Sequence, residues 1–392
     1  MTTSSQAKRP LRILIAGDTF APDVNGGAKF ATRLTAGLVQ RGHEVHVVAS
    51  ALGRGKQGTR VEEHEGARFT VHRLRSILYP GHEWLRFAEP WRVKQNAASL
   101  LDALKPDVVH SQSHIIMGRA FAAEAPKRGI RLVATNHIMF ENLMDHSNFP
   151  RVAHHRVARE AWRDAARVFR KCDVVTTPTR RSAEFLERNT GIADVQAISC
   201  GLNASDYTVS EQRNRHSIVF VGRVTSEKNI DVLVDAVARL PKDLDATLTV
   251  VGVGDLTDAL QQQADRHGIG DRVTFTGYVT DEQLRQHLTD GAVFAMPSTA
   301  ELQSIATMEA MASGLPVVGA DSMALPHLIH DGDNGYLFKP GDASDLACKL
   351  ERVLRASDEE YQRMRDESLH LVMDHDIERT LDAFERIYRG EE

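Results

Sequence analysis

Residues 294–319 run Phe-Ala-Met-Pro-Ser-Thr-Ala-Glu-Leu-Gln-Ser-Ile-Ala-Thr-Met-Glu-Ala-Met-Ala-Ser-Gly-Leu-Pro-Val-Val-Gly, and they read as a strand end, a loop, a helix, a stop and a second strand. Ser304 suits an N-cap, and Ile305 to Ser313 is dominated by good helix formers. Gly314 fits the left-handed position after a helix, and Pro316 forbids continuation. The spacing predicts a helix of about ten residues, roughly 15 Å long. Glu301 precedes it and Glu309 falls in its second turn, so two carboxylates flank a helix N-terminus whose free N–H groups and positive dipole end favour an anion. A phosphate with hydroxylated groups on either side suits that arrangement, as in a sugar and a ribose joined by a diphosphate. The plain alternative is an amphipathic helix carrying two surface glutamates.

Outward from this stretch the same rhythm fills the chain. Short apolar runs at 12–16, 44–49, 68–73, 107–111, 132–136 and 173–177 alternate with helical patterns such as 28–41 and 93–104. A second series has strands at 217–221, 246–251, 273–276, 292–296 and 316–320, with helices such as 230–240 and 281–288. Strands alternating with helices imply parallel sheets covered on both faces. Two such series predict two doubly wound α/β domains, each presenting loops at the carboxyl ends of its strands. The polar, aperiodic stretch from Cys200 to Asn214 is the expected linker, so the domains are placed at 1–205 and 206–375. The charged tail predicts one or two helices, with 376–392 crossing back onto the first domain.

Composition narrows the function. At 392 residues the chain exceeds what one core usually supports. A formal net charge of −5 with 42% hydrophobic residues is that of a globular protein and argues against a general nucleic-acid binder. Cys172, Cys200 and Cys348 are far apart and odd in number, which provides neither a disulfide framework nor metal-ligand spacing. No segment reaches the ~20 apolar residues of a membrane span, and the polar N-terminus lacks a signal-peptide pattern. The expected location is the cytoplasm, with any membrane contact made from the surface.

Each strand end offers chemistry. Gly26 and Gly27 stand just before a helix, where they let the backbone approach a ligand, although the G-x-G-x-x-G dinucleotide spacing is absent. After the first strand of the second series, Arg223 and Lys228 can converge on a diphosphate, the arginine as a fork and the lysine as a point charge. They would neutralise a leaving group in place of a metal, and no metal is expected to be essential. Gly252 and Gly254 provide a tight turn after the next strand, and Tyr278 and Val279 follow the one after that. In the first series His137 ends a strand and can hydrogen-bond a sugar or acceptor, with Asn136 and Glu141 beside it; His110 and His114 end the preceding strand and would line the same cleft. Since the chain has 18 histidines, a structural role competes for each. Residues 151–171 form a basic amphipathic helix pattern, seven basic residues against two acidic ones, that either lies on an anionic membrane or packs its apolar stripe on the first domain.

Taken jointly, Gly26-Gly27, His137, Gly222-Arg223 with Lys228, Gly252-Val-Gly-Asp255, and Glu301 with seven residues between it and Glu309 resemble glycosyltransferase family four, retaining enzymes of the GT-B fold. The resemblance covers roughly residues 11–355. It implies that Arg223 and Lys228 bind the donor diphosphate, helped by backbone N–H groups from Leu302, Gln303, Ser304 and Ile305. It further implies that Glu301 holds hydroxyls of the transferred hexose, Glu309 those of the ribose, and that His137 lies near the sugar's 6-hydroxyl. Gly26 and Gly27 would approach the phosphate or acceptor, and Tyr278 and Val279 the base. The loop departs from the family's usual Glu-x-Phe-Gly, reading Glu-Leu-Gln-Ser. Within the family the chain is most similar to bacterial enzymes that glycosylate membrane lipids such as diacylglycerols or phosphatidylinositol.

These readings converge on transfer of a hexose from a UDP- or GDP-sugar to a lipid or sugar acceptor, with His137, Arg223, Lys228 and Glu301 as the catalytic set. The same reaction on a soluble sugar, cyclitol or polysaccharide would run without membranes. A sugar-nucleotide epimerase would release or isomerise hexose with no acceptor, and a non-catalytic nucleotide-sugar binder would bind donor without turnover.

Overall fold

The computed structural model describes residues 9–23, 25–78, 86–140, 151–210 and 213–391. The chain divides into two compact units: Met1–Ile138, His155–Ile198 and Ile377–Glu392 form the first, and Met139–His154 with Ser199–Asp376 the second.

The first unit is built on an eight-stranded sheet. Its strands are β1 (Arg12–Gly17), β2 (Glu44–Ser50), β3 (Gly58–His64), β4 (Ala67–Leu74), β7 (Val108–Ser111), β8 (Arg131–Thr135), β9 (Val174–Thr177) and β10 (Gln196–Ala197), in the order β10-β9-β8-β7-β1-β2-β4-β3. A small hairpin of β5 (Ser76–Leu78) and β6 (Arg86–Ala88) stands apart from it. All pairings in the large sheet are parallel except β3 with β4. The central strand β1 is buried along almost its whole length, because helices cover both faces of a parallel sheet. Those helices are α1 (Gly26–Gln40), α2 (Pro90–Leu104), α3 (Ile116–Glu124), α4 (Arg151–Phe169, in this unit from His155 onward) and α5 (Arg180–Thr190), joined by the C-terminal helix Ile377–Arg389. On one face Leu14, Val109, Leu101 and Phe121 share a core. The chain leaves β1 for β2 on one side and later returns to lay β7 on the other, so the strand order reverses between β1 and β7. Such switch points open a crevice at the strands' carboxyl ends.

The second unit repeats the plan with six parallel strands: β11 (Ser217–Val221), β12 (Thr247–Val251), β13 (Val273–Gly277), β14 (Val293–Met296), β15 (Val317–Ala320) and β16 (Gly335–Phe338). Their order is β13-β12-β11-β14-β15-β16, which places the switch point between β11 and β14. The covering helices are α6 (Ile230–Arg239), α7 (Thr257–Arg266), α8 (Asp281–Asp290), α9 (Ile305–Ala312), α10 (Leu325–Leu328), α11 (Ala343–Leu354) and α12 (Asp358–Val372).

Several expectations change. The sequence pattern misses β3, whose residues are mostly exposed and polar because it is an antiparallel edge strand with no apolar face to bury. It also misses β16. The expected linker is not free: Cys200 and Leu202 are buried, and Leu202 N–H donates to His375 O at 2.9 Å, so the crossing from the first unit falls at Ile198/Ser199. Among the described side chains of α4, most of the apolar stripe is buried. Trp162, Ala165, Ala166, Val168 and Phe169 are buried, and Trp162 meets the Phe185 ring edge-on at 5.7 Å. Its outer charges engage neighbours, Arg163 with Glu160 at 2.6 Å and Asp164 with Arg119. No described helix is long and apolar enough to cross a membrane.

Candidate functional site

The second unit gathers its charged candidates at the switch point. Arg223, Glu227 and Lys228 follow β11 and Glu301 follows β14, so neighbouring strands deliver them to one end of the sheet. Asn229, in the left-handed conformation, ends the short turn carrying Lys228, and its Nδ2 donates to Thr299 Oγ1 at 3.3 Å. Ser298 Oγ donates to Glu227 O at 3.1 Å, a second tie between the two loops. Lys228 Nζ is ion-paired with Glu301 Oε1. Arg223 Nη2 donates to Glu227 Oε1 at 2.9 Å, and Thr225 Oγ1 donates to the same oxygen at 2.7 Å. Both cations therefore sit against carboxylates of their own unit. Sequence reasoning missed Glu227, a buried acid inside the Gly-Arg-Val-Thr-Ser-Glu-Lys run whose role becomes visible only when its side chain turns inward.

Gly252 and Gly254 act on backbone packing. A Cβ on Gly252 would stand 1.9 Å from Gly222 O, and one on Gly254 2.1 Å from Val224 O. Their absence lets the loop after β12 lie against the loop that carries Arg223, with Val224 N–H bonded to Val253 O at 2.9 Å.

α9 runs Ile305–Ala312, ends at Ser313 and is followed by Gly314 at φ +71°. It is buried on nearly all sides, Glu309 included, which overturns the alternative of an amphipathic helix with surface glutamates. Ser304 is not the expected cap. Its backbone is left-handed, and its Oγ pairs with Thr307 Oγ1 at 2.8 Å instead of a backbone N–H. The N–H groups of Gln303, Ser304, Ile305 and Ala306 have no protein acceptor among the described residues, as befits an open helix N-terminus. Gln303 was expected to offer its backbone N–H, and its side chain is engaged elsewhere. Its Oε1 accepts from Cys200 N–H at 2.7 Å and its Nε2 donates to Ser199 Oγ at 2.7 Å, so the buried side chain is directed at the chain crossing. Leu302 and Ile305 complete this loop. Tyr278, 72% exposed, and Val279 lie just beyond the end of β13.

The first unit places a second group at its own switch point. Asn25 Oδ1 caps α1 by accepting from Ala28 N–H at 2.9 Å, so α1 begins at Gly26 and Gly27. A Cβ on Gly27 would lie 3.4 Å from His137 Cβ and Cγ, which brings the glycine pair and His137 together. His137 Nε2 lies 3.1 Å from Gln112 Oε1, and its ring packs on Phe30 at 5.0 Å. Burial lowers its pKa to about 4, so the imidazole is neutral near pH 7. Gln112 was not anticipated; it follows β7 in His110-Ser-Gln-Ser-His114, where the histidines attract attention.

Those histidines are structural. His110 is fully buried between Tyr388 OH and Thr135 Oγ1, each at 2.7 Å, and burial lowers its pKa to about 3. His114 is buried edge-on to the Phe169 ring at 5.1 Å, and its pKa falls to about 4 for the same reason. Asn136 is buried too, its Nδ2 donating to Ile138 O at 3.0 Å in a local turn. These three are therefore not free to line an acceptor cleft as expected, because their polar atoms are enclosed by the unit itself. Glu141 lies outside the described residues.

Cations held beside an open helix N-terminus, on a parallel sheet at its switch point, define a protein that binds a phosphorylated ligand and can stabilise negative charge leaving it. Residues 24–206 match the family described as Glycosyltransferase Family 4, and residues 215–356 match the one described as Glycosyl transferases group 1. The chain is 27% identical over 334 residues to sulfoquinovosyl transferase of Arabidopsis thaliana, covering 81% of this chain and 61% of that one. It is 24% identical over 380 residues to alpha-monoglucosyldiacylglycerol synthase of Streptococcus pneumoniae, covering 92% and 82%. The structure of sucrose-phosphate synthase from Thermosynechococcus elongatus superposes with a TM-score of 0.80 at 18% identity, covering 97% and 98%, which shows a shared GT-B fold. The protein is a hexosyltransferase and belongs to glycosyltransferase family four.

Proposed function

We propose that this enzyme moves a hexose from a nucleoside diphosphate sugar, uridine or guanosine type, to an acceptor hydroxyl with the anomeric configuration retained. The observation that carries the reading is the pairing of Lys228 with Glu301 and of Arg223 with Glu227 beside the open N-terminus of α9. The diphosphate would draw on Arg223, Lys228 and the N–H groups of residues 303–305, while Glu301 accepts hydrogen bonds from hexose hydroxyls and Glu309 from the ribose. As the glycosidic bond to the diphosphate breaks, positive charge fixed in advance stabilises the departing oxygen, and in such a site this stabilisation lowers the barrier more than any other effect. The leaving phosphate oxygen takes the proton of the attacking hydroxyl, the new bond forming on the face the diphosphate leaves. In this reading the cations carry the charge and no divalent metal is required.

The acceptor we favour is a membrane lipid of the diacylglycerol or phosphatidylinositol type, supported by similarity to the alpha-monoglucosyldiacylglycerol synthase of Streptococcus pneumoniae. The second reading, a soluble sugar acceptor, is favoured by the burial of the α4 stripe, which removes the chain's clearest sequence signal for membrane contact. Thermal-shift titration with UDP, GDP and ADP sugars on wild type and Glu309→Ala tests the donor site. A ligand at a hundred times its dissociation constant stabilises by about 2.7 kcal/mol. Stabilisation by one sugar nucleotide, lost in the variant, supports the assignment; equal stabilisation of both overturns it. Transfer of labelled hexose to lipid in vesicles, against transfer to soluble sugars, then separates the two acceptors.

A further inference from the structure

We propose that Gln112 is a positioning residue that holds His137 in the tautomer protonated at Nε2, so that Nδ1 presents a lone pair to a ligand hydroxyl. An amide oxygen only accepts, so the 3.1 Å contact between Gln112 Oε1 and His137 Nε2 requires the ring to donate there. The neutral ring then has its acceptor at Nδ1, which has no partner among the described residues. In this proposal His137 accepts from the ligand.

The surroundings hold this arrangement in place. Gln112 is 5% exposed, and its backbone N–H donates to Ala16 O at 2.8 Å across the switch point between β7 and β1. Phe30 of α1 supports the imidazole at 5.0 Å. Among the described residues Gln112 Nε2 is buried without a partner, so the side-chain amide acts here through its oxygen alone. Among the described residues, the groups around the ring are Phe30 and Gly27 from α1 and His110 and Gln112 from β7 and its end. Only His110 among them titrates, and it is also neutral near pH 7.

The ligand chemistry follows from the neighbours of Nδ1. His137 Cγ, to which Nδ1 is bonded, lies 3.4 Å from where a Gly27 Cβ would stand, and the N–H groups of Gly26 and Gly27 have no acceptor among the described residues. A lone pair beside N–H donors matches a hydroxyl, which donates and accepts. A bare phosphate oxygen would meet the lone pair unfavourably. The inference rests on the hexosyltransferase reading, in which that hydroxyl belongs to the hexose or to the acceptor.

The test uses the full chain labelled with 15N-histidine, the His137 signal being identified by its loss in His137→Gln. Long-range 1H–15N spectra without substrate should show the Nε2–H form in wild type, and a mixed or Nδ1–H form in Gln112→Leu. Gln112→Glu, nearly isosteric, should stabilise the imidazolium and raise the His137 pKa from its low value. Its kcat should then fall as pH drops through the new pKa, while wild type stays flat over the same window. Gln112→Leu should lose about tenfold to a hundredfold in kcat with donor KM little changed. An Nδ1–H form in wild type, or a Gln112→Leu variant with tautomer and kcat both unaltered, overturns the proposal. Absence of hexose transfer by wild type would instead sink the hexosyltransferase reading, because the spectra need no turnover.

Discussion

Lys228 and Glu301 stand 73 residues apart in the chain, yet Lys228 Nζ and Glu301 Oε1 form an ion pair with side chains only 16% and 10% exposed. The pair exists because β11 and β14 are neighbours at the switch point, and each sends one loop to the same end of the sheet. A cation enclosed this way is little screened by water, and in the proposed reading it is already in place for the diphosphate.

Removing either partner leaves a largely buried charge without its counterion, so Lys228→Ala and Glu301→Ala should each lower Tm. Lys228→Met combined with Glu301→Leu should recover much of that loss yet remain inactive. Turnover in Lys228→Ala or Arg223→Ala should fall about two to three orders of magnitude. Near-normal kcat in both cation variants would remove them from the chemistry.

Gly252→Ala introduces a methyl group 1.9 Å from Gly222 O, and backbone atoms on both sides must shift. The expected result is a loss of about 1–3 kcal/mol in urea unfolding, accompanied by weaker sugar-nucleotide binding because the Arg223 loop moves with Gly222. Gly268→Ala is the control for backbone strain alone: its φ is +67° with nothing within 4 Å of the new methyl, so it should cost stability without altering donor affinity. Equal donor affinity in Gly252→Ala would show that this contact does not position the site.

His110 and His114 make the first unit sensitive to acid. Their folded pKa values, about 3 and about 4, lie below the ordinary 6.5, so the unfolded chain takes up protons that the folded chain refuses. Stability is therefore full above about pH 6.5 and falls as pH drops toward 4, by up to ~1.4 kcal/mol per pH unit for each histidine. Burial raises the Asp18 pKa and offsets part of this at the acid end. Tm measured from pH 7.5 to 5 should decline, and His110→Gln should show a shallower decline from a lower starting point. A Tm independent of pH in wild type would contradict the burial of these rings.

Gln303 binds the segment at which the chain enters the second unit. Gln303→Leu should remove the acceptor that the buried Cys200 N–H uses and one of the partners of the Ser199 hydroxyl, which keeps Gly201 N–H and His375, with a loss of about 1–3 kcal/mol read by denaturant unfolding. Because its side-chain amide is engaged by Cys200, Ser199 and His375, donor KM should change little compared with Glu301→Ala. A selective rise in donor KM at unchanged stability would instead give the Gln303 side chain a direct part in donor binding.

The sequence alone determined most of the architecture, since local physics writes it into neighbouring residues. The apolar runs that became β1, β7, β11 and β14 are continuous because both sheet faces are covered, and Gly314 with Pro316 marks where α9 must stop. The positions of Arg223, Lys228, Glu301 and the Gly26-Gly27 pair were likewise legible, because residues at strand ends lie where the switch point opens. Edge strands were not: β3 has no buried face to imprint a pattern. Side-chain direction was also beyond reach. His110, His114 and His137 are alike in sequence, and only packing encloses the first two while leaving His137 its contact with Gln112. Gln303 pointing to Cys200, Glu227 turned onto Arg223, and the buried stripe of α4 were decided the same way. Each depends on contacts between distant segments, whose energies come into being only when the sheets assemble.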